Sequence, residues 1–454
     1  MAIAALELND ASLAIAREGE VLLAGPGHAA MAGGGLRFGD EARSVVRLNP
    51  RQAHRRYWAE LSDAPLLQPI GACRTSADLV HEHLSQLWAR CNASEGIVLA
   101  VMPGWSGAQL GLLLGIARDI GMPVTGLVDA AVAASRKPWP GRVVWHLQAG
   151  LDSAWLTRIE QENGGATLGT REPIERFGID ALERGCSEFL ARRFVECSRF
   201  DPLHDARSEQ QLYDQLPGWL LAAARLDRID LELDYGGNHF AAWVGAADLR
   251  ECIGKFCEPL TQKLRALISP REPSVLQVHG RFADFPGVIE ALLRLPACTV
   301  VLLEPGAAAR GALRLRASGT AAAAGLRVTT SLPWDQPPQN VISADSAATA
   351  LAPTHIAFEG CAWRLAGGPV HIGTGLAENE HGIRLDGRSQ AVSRRHCTIQ
   401  IEDGRVMVHD QSRYGTLLNG HRIDGSAVLQ AGDVLRIGQP PLEFTLIAEV
   451  GRGP

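Results

Sequence analysis

Two short polar segments near the end of the chain carry residue types that suit the binding of a doubly charged oxyanion. Residues 392–399 read VSRRHCTI and residues 410–420 read DQSRYGTLLNG, and each joins a strand-like run to a polar loop. If the strands pair, hydroxyl and guanidinium groups converge on one surface: Ser393, Arg394, Arg413 and Thr416. A phosphothreonine carries a charge of about −1.5 to −2 and three acceptor oxygens, and arginine clusters often bind it. The segments therefore predict recognition of a phosphorylated protein.

The composition is that of an ordinary globular protein. The chain has 454 residues, of which 46% are hydrophobic and 21% charged. This length predicts about two or three domains. The net charge of −6 and the lack of a long basic block argue against a general nucleic-acid-binding protein.

Several features predict a cytoplasmic protein. The nine cysteines include no CxxC pair, which favours free thiols in a reducing compartment. The N-terminal segment MAIAALELND has no basic start before an apolar core, so we expect no signal peptide. The apolar stretch 96–117 is interrupted by Pro103, Gly104 and Ser106, which favours a strand, a turn and a helix over a membrane span.

The periodicity divides the chain into an α/β region and an all-β region. Apolar runs around Asn9-Asp10 and at 142–150 and 154–161 predict two hairpins, and strands then alternate with helices. A proline-rich stretch without periodicity follows. We predict an α/β domain at 1–330, a linker at 331–353 and an all-β sandwich at 354–450.

The all-β region resembles a forkhead-associated (FHA) domain. The motifs that carry this resemblance are HIG at 371–373, VSRRH at 392–396, SRYGT at 412–416, LNG at 418–420 and LQAGDVLRIG at 429–438. The resemblance implies a β-sandwich that binds phosphothreonine through its loops.

Matching the motifs residue by residue gives a candidate site. Ser393 and Arg394 correspond to the phosphate-contacting loop and Arg413 to a second contact, while His396 corresponds to a residue that braces the loop. The remaining matches are Gly373 in the first motif and the groove-forming turn residues Tyr414, Gly415, Thr416 and Asn419.

Two residues depart from the FHA pattern. Thr374 stands where the family usually has an arginine after glycine, and Tyr414 stands where asparagine is common. A charge-assisted hydrogen bond contributes roughly 1.5–3 kcal/mol, so loss of this arginine would weaken binding about ten-fold or more. Arg388 is a candidate to compensate, and phosphate-independent docking is the alternative function for the fold.

Residues 1–330 resemble the actin-like (ribonuclease H-like) two-lobed nucleotide-binding domain of DnaK-type chaperones. Residues 5–16 and 143–160 take the places of the two phosphate hairpins, 274–293 that of the adenosine side, and 304–313 that of the closing helix. The resemblance implies backbone N–H groups that bind phosphates at glycine-rich turns and carboxylates that hold Mg²⁺ through water.

The residues expected to bind a nucleotide are largely replaced. Glu7 stands in place of aspartate, the first turn is Asn9-Asp10, and the second keeps Gly150 alone of its usual glycines. His279-Gly280 keeps one glycine of a pair, and no lysine precedes Lys137. Any residual nucleotide site would consist of Glu7, Asn9, Asp10, Gly150 and Gly280, and we expect neither a cofactor nor a metal.

The sequence thus predicts a phosphothreonine-dependent adaptor with a catalytically silent actin-like domain. Its partners would be phosphothreonine proteins, such as substrates of a Ser/Thr kinase. The competing hypothesis is an ATP-binding, DnaK-like chaperone or ATPase regulated through its FHA domain. Two weaker motifs are set aside. GPGHAA at 25–30 fits a loose dinucleotide-binding pattern. GWSGA at 104–108 resembles the nucleophile elbow of a serine hydrolase, but the candidate histidine and acid, His279 and Asp284, follow it in the wrong chain order for that fold.

Overall fold

The chain forms two compact units, Met1–Asn340 (the first unit) and Val341–Pro454 (the second unit). A computed structural model describes residues 3–17, 20–91, 95–223, 226–317, 327–338, 353–358, 361–377, 380–385, 391–402, 405–418, 421–423, 425–430, 433–438 and 441–447. None of the helices in these ranges combines the length and apolar character needed to span a membrane.

The first unit mixes strands and helices. Its strands are β1 (Ile3–Leu8), β2 (Leu13–Arg17), β3 (Glu20–Gly25), β4 (Ala29–Ala32), β5 (Gly35–Phe38), β6 (Ala53–His54), β7 (Pro65–Ile70), β8 (Cys73–Thr75), β9 (Gly96–Val101), β10 (Val124–Asp129), β11 (Val143–Ala149), β12 (Ala154–Glu162), β13 (Gly165–Ile174), β14 (Arg228–Tyr235), β15 (Asn238–Gly245), β16 (Ser274–Val278), β17 (Cys298–Leu302), β18 (Val328–Thr329) and β19 (Ser331–Pro333). Its helices are α1 (Gly39–Arg43), α2 (Ser76–Cys91), α3 (Gly107–Asp119), α4 (Ala130–Ala134), α5 (Ile179–Ser198), α6 (Ala206–Ala223), α7 (Ala246–Phe256), α8 (Glu258–Leu267), α9 (Val288–Leu292), α10 (Ala307–Ala312) and α11 (Arg314–Ala317).

The two six-stranded sheets of the first unit share one topology over five strands, and the sixth strand is added next to β10 in one sheet (β18) and next to β13 in the other (β19). Their strand orders are β18-β10-β9-β1-β2-β3 and β17-β16-β11-β12-β13-β19. In each sheet the leading strand, β1 or β11, pairs antiparallel with the next strand and parallel with a later one. The second and third strands of each sheet also pair antiparallel. Each sheet therefore begins with a hairpin whose turn lies at the end of its central strand.

The strands β9 and β16, which pair parallel with β1 and β11, are buried along their whole length. All six residues of β9, GIVLAV, are buried, as are all five of β16. Burial along the whole length is typical of parallel strands that are covered on both faces, and β9 shows the apolar run that goes with it, whereas β16 also buries Ser274 and Gln277. Separate hydrophobic clusters pack against the two sheets, one around Leu6, Leu99 and Leu84 and the other around Leu147, Leu276 and Phe194.

Several predicted elements are confirmed. The hairpin β1–β2 pairs Leu6 with Ile15, and β11–β12 pairs Leu147 with Leu156. The stretch 96–117 forms β9 and most of α3. The first residues of the predicted linker differ from expectation, because Ser331–Pro333 forms β19 and pairs with β13. The rest of that linker lies mostly at 339–352, outside the described residues.

The second unit is an all-β sandwich, as predicted. Its strands are β20 (His355–Phe358), β21 (Cys361–Arg364), β22 (Val370–Gly373), β23 (Gly382–Arg384), β24 (Cys397–Glu402), β25 (Arg405–Asp410), β26 (Leu417–Leu418), β27 (His421–Arg422), β28 (Ser426–Val428), β29 (Val434–Ile437) and β30 (Leu442–Ile447). They form sheets of order β21-β20-β30-β29-β26-β27 and β23-β22-β24-β25-β28. Ile356 and Phe444 of the first sheet share one core with Ile372, Ile399 and Val408 of the second.

Candidate functional site

Residues 391–396, here called the Ser393 loop, run directly into strand β24, whose first three residues are buried. Backbone bonds hold the loop against the end of β22: the N–H of His396 donates to Ile372 O (2.8 Å), and that of Thr374 donates to Ser393 O (3.2 Å). A Cβ at Gly373 would lie 2.2 Å from Arg394 O. Only glycine allows this close approach, so the predicted structural role of Gly373 has a direct steric basis.

Residues 411–416, here called the Arg413 loop, are organised by Asp410 at the end of β25. The Asp410 carboxylate accepts the backbone N–H groups of Ser412 (3.0 Å) and Thr416 (3.2 Å) and the Thr416 hydroxyl (3.1 Å). Burial alone would raise the pKa of Asp410, but these hydrogen bonds outweigh it and lower the pKa. The φ of +90° at Gly415 suits glycine, whose N–H donates to Ser412 Oγ (2.6 Å).

Ser393 and His396 join the two loops. Ser393 Oγ accepts the backbone N–H of Arg413 (3.1 Å). His396 is fully buried, and its Nδ1 accepts the N–H of Ser393 (3.2 Å), so the ring proton belongs on Nε2, which donates to Gly415 O (3.3 Å). Burial lowers the pKa of His396, although the bond to Gly415 opposes the shift. A neutral histidine therefore bonds to both loops.

Exposed cations flank this junction. Arg394 and Arg413 are exposed, and within the described ranges neither has an acidic partner at ion-pair distance. The neighbouring Arg395 instead pairs with Glu380. Tyr414 is 59% exposed. The guanidinium groups of Arg394 and Arg413 thus lie on joined loops without an acidic partner in the described ranges, an arrangement that suits an incoming phosphate.

Arg422 is a further cation that the motif comparison missed. A Cβ built on Gly415 would lie 2.6 Å from Arg422 Nε, so the guanidinium lies over the Arg413 loop. The register of β26 with β27, which pairs Leu417 with Arg422, places it there. The sequence signal was the basic pair that follows LNG, but a motif-by-motif match does not extend to it.

Some predicted site residues have other positions. Thr416 is fully buried with both its hydroxyl and its N–H bonded to Asp410, so it stabilises the turn and does not present its hydroxyl at the surface. This corrects the expectation that its hydroxyl joins the phosphate-facing groups. Asn419 and Arg388 lie outside the described residues.

Comparison with known proteins identifies the second unit. The family model described as FHA domain matches residues 370–438. These residues form an FHA domain. A search of curated proteins found no significant match to the chain. The matched range contains the Ser393 and Arg413 loops of the FHA domain and Arg422.

The first unit brings most of the predicted nucleotide-site residues together, but there the turn after β1 contacts the turn after β11 directly. Asp10 is 8% exposed, and its Oδ1 accepts the N–H of Leu151 (2.9 Å) in the turn between β11 and β12. Burial raises the pKa of Asp10 to about 6, against the effect of the Leu151 bond. A Cβ at Gly150 would lie 2.8 Å from Ser153 O and 3.2 Å from Asp10 Oδ1. Gly150 therefore serves the close approach of the two turns.

The other predicted residues are also engaged with protein groups. Glu7 is 1% exposed and its Oε2 accepts the N–H of Ala309 (3.2 Å), while Asn9 Nδ2 lies 3.2 Å from His279 Nε2. A Cβ at Gly280 would lie 3.0 Å from Leu303 O. The carboxylates and amide that could face a nucleotide thus already have protein partners.

The GWSGA segment has a structural role. Ser106 is the N-cap of α3: its Oγ accepts the N–H of Gln109 (3.2 Å), whose side chain accepts the N–H of Ser106 (2.9 Å). This reciprocal pattern is a capping box. His279 contacts Asn9, and Asp284 pairs with Arg281, so neither is bonded to Ser106.

Proposed function

We propose that the chain is a cytoplasmic adaptor that binds phosphothreonine-bearing proteins, such as substrates of a Ser/Thr kinase, through its FHA domain. The observation that carries the proposal is the Ser393–Arg413 junction, with Arg394, Arg413 and Arg422 beside it. Ser393 Oγ accepts a hydrogen bond from Arg413 and so keeps its own O–H for donation to a phosphate oxygen. Arg422 supplies a guanidinium that Thr374 does not.

Peptide binding by the full chain tests this proposal. A phosphothreonine peptide selected from a library is titrated by fluorescence anisotropy against wild type and against Ser393→Ala, Arg394→Ala and Arg413→Ala. We expect each variant to weaken binding roughly ten- to hundred-fold, because each removes a hydrogen bond to a charged group. The unphosphorylated peptide should not bind.

Arg395→Ala is the matched control. Arg395 lies beside Arg394 and is also exposed, but it pairs with Glu380. We expect its loss to leave peptide affinity unchanged. Unchanged binding by Ser393→Ala and Arg394→Ala would contradict the proposed site, and equal binding of the unphosphorylated peptide would support phosphate-independent docking.

We further propose that the first unit is an actin-like domain without catalytic activity that serves as a docking body. The repeated topology of its two sheets, each with a hairpin at its centre, supports an actin-like relationship. The contact of Asp10 with Leu151 supports loss of nucleotide binding, because an acidic side chain lies where the two turns meet.

Titration of the full chain with Mg-ATP by calorimetry tests the second proposal. We expect neither binding in the micromolar range nor turnover. Micromolar affinity with phosphate release would contradict it and support the chaperone-like alternative.

A further inference from the structure

The first unit has two hydrophobic cores that share no residue, one packed on each six-stranded sheet. We call the sheet containing β1 with its core the β1 lobe, and the sheet containing β11 with its core the β11 lobe. Parts of a chain with separate cores move relative to each other unless a large apolar interface joins them. The contacts between the lobes therefore decide how firmly the first unit stays closed.

Residues 43–55, here called the arginine clasp, reach from the β1 lobe to the β11 lobe. The clasp belongs to the β1 lobe because β6 pairs with β4, whose Ala29 lies in the core of that lobe. The helices that it contacts, α5 and α6, pack in the core of the β11 lobe. Three ion pairs cross between the lobes, each with a nitrogen–oxygen distance of 3.0 Å: Arg43 with Glu183, Arg47 with Glu209, and Arg55 with Asp180.

Arg47 is held by more than its ion pair. Its backbone N–H donates to Gln210 Oε1 (2.9 Å), and its guanidinium carbon lies 3.8 Å from the centre of the Tyr213 ring. The side chains of Arg47 and Glu209 are only 22% and 28% exposed, so loss of one leaves the charge of the other partly buried without its partner. Such a loss favours separation of the clasp from α6, where water can solvate the remaining charge.

Asp10 forms a second contact between the lobes through other elements. Its Oδ1 accepts the N–H of Leu151, which lies in the turn between β11 and β12. Since this bond joins the β1 lobe to the β11 lobe, the Leu151 amide loses its partner and exchanges with solvent when the lobes separate. Leu151 therefore reports on lobe opening without being part of the clasp.

We propose that the arginine clasp is a conformational device that holds the two lobes of the first unit closed through its charges. Release of the clasp opens the lobes and breaks the bond between Asp10 and Leu151. Because the three ion pairs are partly exposed to solvent, closure weakens as ionic strength rises. The inference concerns lobe movement alone, so it stands or falls independently of ATP binding and of phosphopeptide binding.

Hydrogen–deuterium exchange of the full chain, followed by mass spectrometry with electron-transfer fragmentation, measures opening at the Leu151 amide. Arg47→Ala should speed this exchange about ten-fold or more, because it removes a charge-assisted bond between the lobes. The paired swap of Arg47→Glu with Glu209→Arg should restore most of the slow exchange. Arg51→Ala is the matched control, because it removes an exposed arginine of the same segment, and it should have no effect.

Two sets of results would overturn the proposal. Unchanged exchange at Leu151 in Arg47→Ala, with faster exchange confined to the clasp and α6, would show that the clasp packs locally and does not control the lobes. Equal acceleration by Arg51→Ala, or no restoration by the paired swap, would show that the charge pair is not the cause of closure.

The wild type in rising salt separates lobe opening from unfolding. Between about 0.05 M and about 1 M NaCl, we expect exchange at Leu151 to accelerate while the buried strands β9 and β16 stay protected. If Arg47→Ala exposes β9 and β16 as well, this series decides, and a lack of acceleration at Leu151 at the higher concentration would overturn the proposal.

Discussion

The two units each contain a pair of loops joined by the same kind of bond, yet only one pair suits a phosphate. In the first unit the Asp10 carboxylate accepts the backbone N–H of Leu151. In the FHA domain the Ser393 hydroxyl accepts the backbone N–H of Arg413. The first junction is buried and contains an acid, whereas the second is exposed and flanked by arginines.

The difference shows that loop geometry alone does not make an anion site. Backbone N–H groups at strand ends attract anions, and Asp10 supplies such an anion from within the chain. At the FHA junction the accepting atom is neutral, so the positive charge of Arg394 and Arg413 is left for a ligand. We infer that charge sign and exposure at the joining residue distinguish a contact that stabilises the fold from the proposed phosphate site.

The comparison predicts its largest stability effect at Asp10. Because the folded-state pKa, about 6, lies above the usual aspartate pKa of 3.8, folding favours the protonated form of Asp10. The contribution of Asp10 to stability is then fully present below its unfolded pKa and is lost as pH rises through its folded pKa. Asp10→Asn keeps an acceptor for Leu151 without the charge. It should stabilise the first unit by up to about 3 kcal/mol above the folded pKa.

Urea unfolding at about pH 4 and about pH 8 checks this prediction, with the gain expected at the higher pH only. Asp63→Asn is the control, because Asp63 is an exposed acid of the same unit away from the Asp10 contact, and its change should stay within about 0.5 kcal/mol. A loss of stability in Asp10→Asn at the higher pH would mean that the ionised carboxylate is needed at the junction, which would break the comparison.

The next effect is expected at His396, which braces the FHA loops. His396→Phe leaves the N–H of Ser393 and the carbonyl of Gly415 without their partner. It should cost about 1–3 kcal/mol of stability and weaken peptide binding. Because the pKa of His396 is lowered in the folded state, its stabilising contribution is present above the unfolded pKa and is lost as pH falls through the folded pKa. Acidification should therefore reduce the difference in stability between wild type and variant.

Thermal unfolding at several pH values and peptide anisotropy measure the two consequences. His409→Phe is a matched control, because His409 is half-buried in the same unit but pairs with Glu402, away from the junction bonds. Equal losses of affinity in the two variants would show that His396 has no special role in holding the loops.

Sequence patterns predicted the elements with strong periodicity and missed those set by long-range pairing. The hairpins β1–β2 and β11–β12 have apolar runs around a short turn, and both were predicted. The strand β13, TLGTRE at its centre, has little apolar character and forms because β12 and β19 pair with it on both sides. Without β13 the repeated sheet topology could not be recognised.

The candidate site in the FHA domain was predictable where the loop geometry requires one particular residue type. Gly373, His396 and Gly415 could be singled out from the motifs because each meets a steric or hydrogen-bonding need that one residue type satisfies. The partners of Asp10 and Arg422 were not predictable, since the contacts of Asp10 with Leu151 and of Arg422 with Gly415 depend on strand register.

The smallest predicted effect is a gain of affinity on returning the missing arginine. The N–H of Thr374 donates to Ser393 O, so position 374 lies beside the proposed phosphate contact, and its side chain is half-buried. Thr374→Arg should tighten phosphopeptide binding about ten-fold, the effect of one charge-assisted hydrogen bond. Thr445→Arg adds the same charge at an exposed threonine of β30, in the other sheet, and controls for general attraction. An equal gain of affinity in both variants would show that the added positive charge acts through general attraction and not through position 374. No gain in Thr374→Arg would indicate that Arg422 already takes the place of the missing guanidinium.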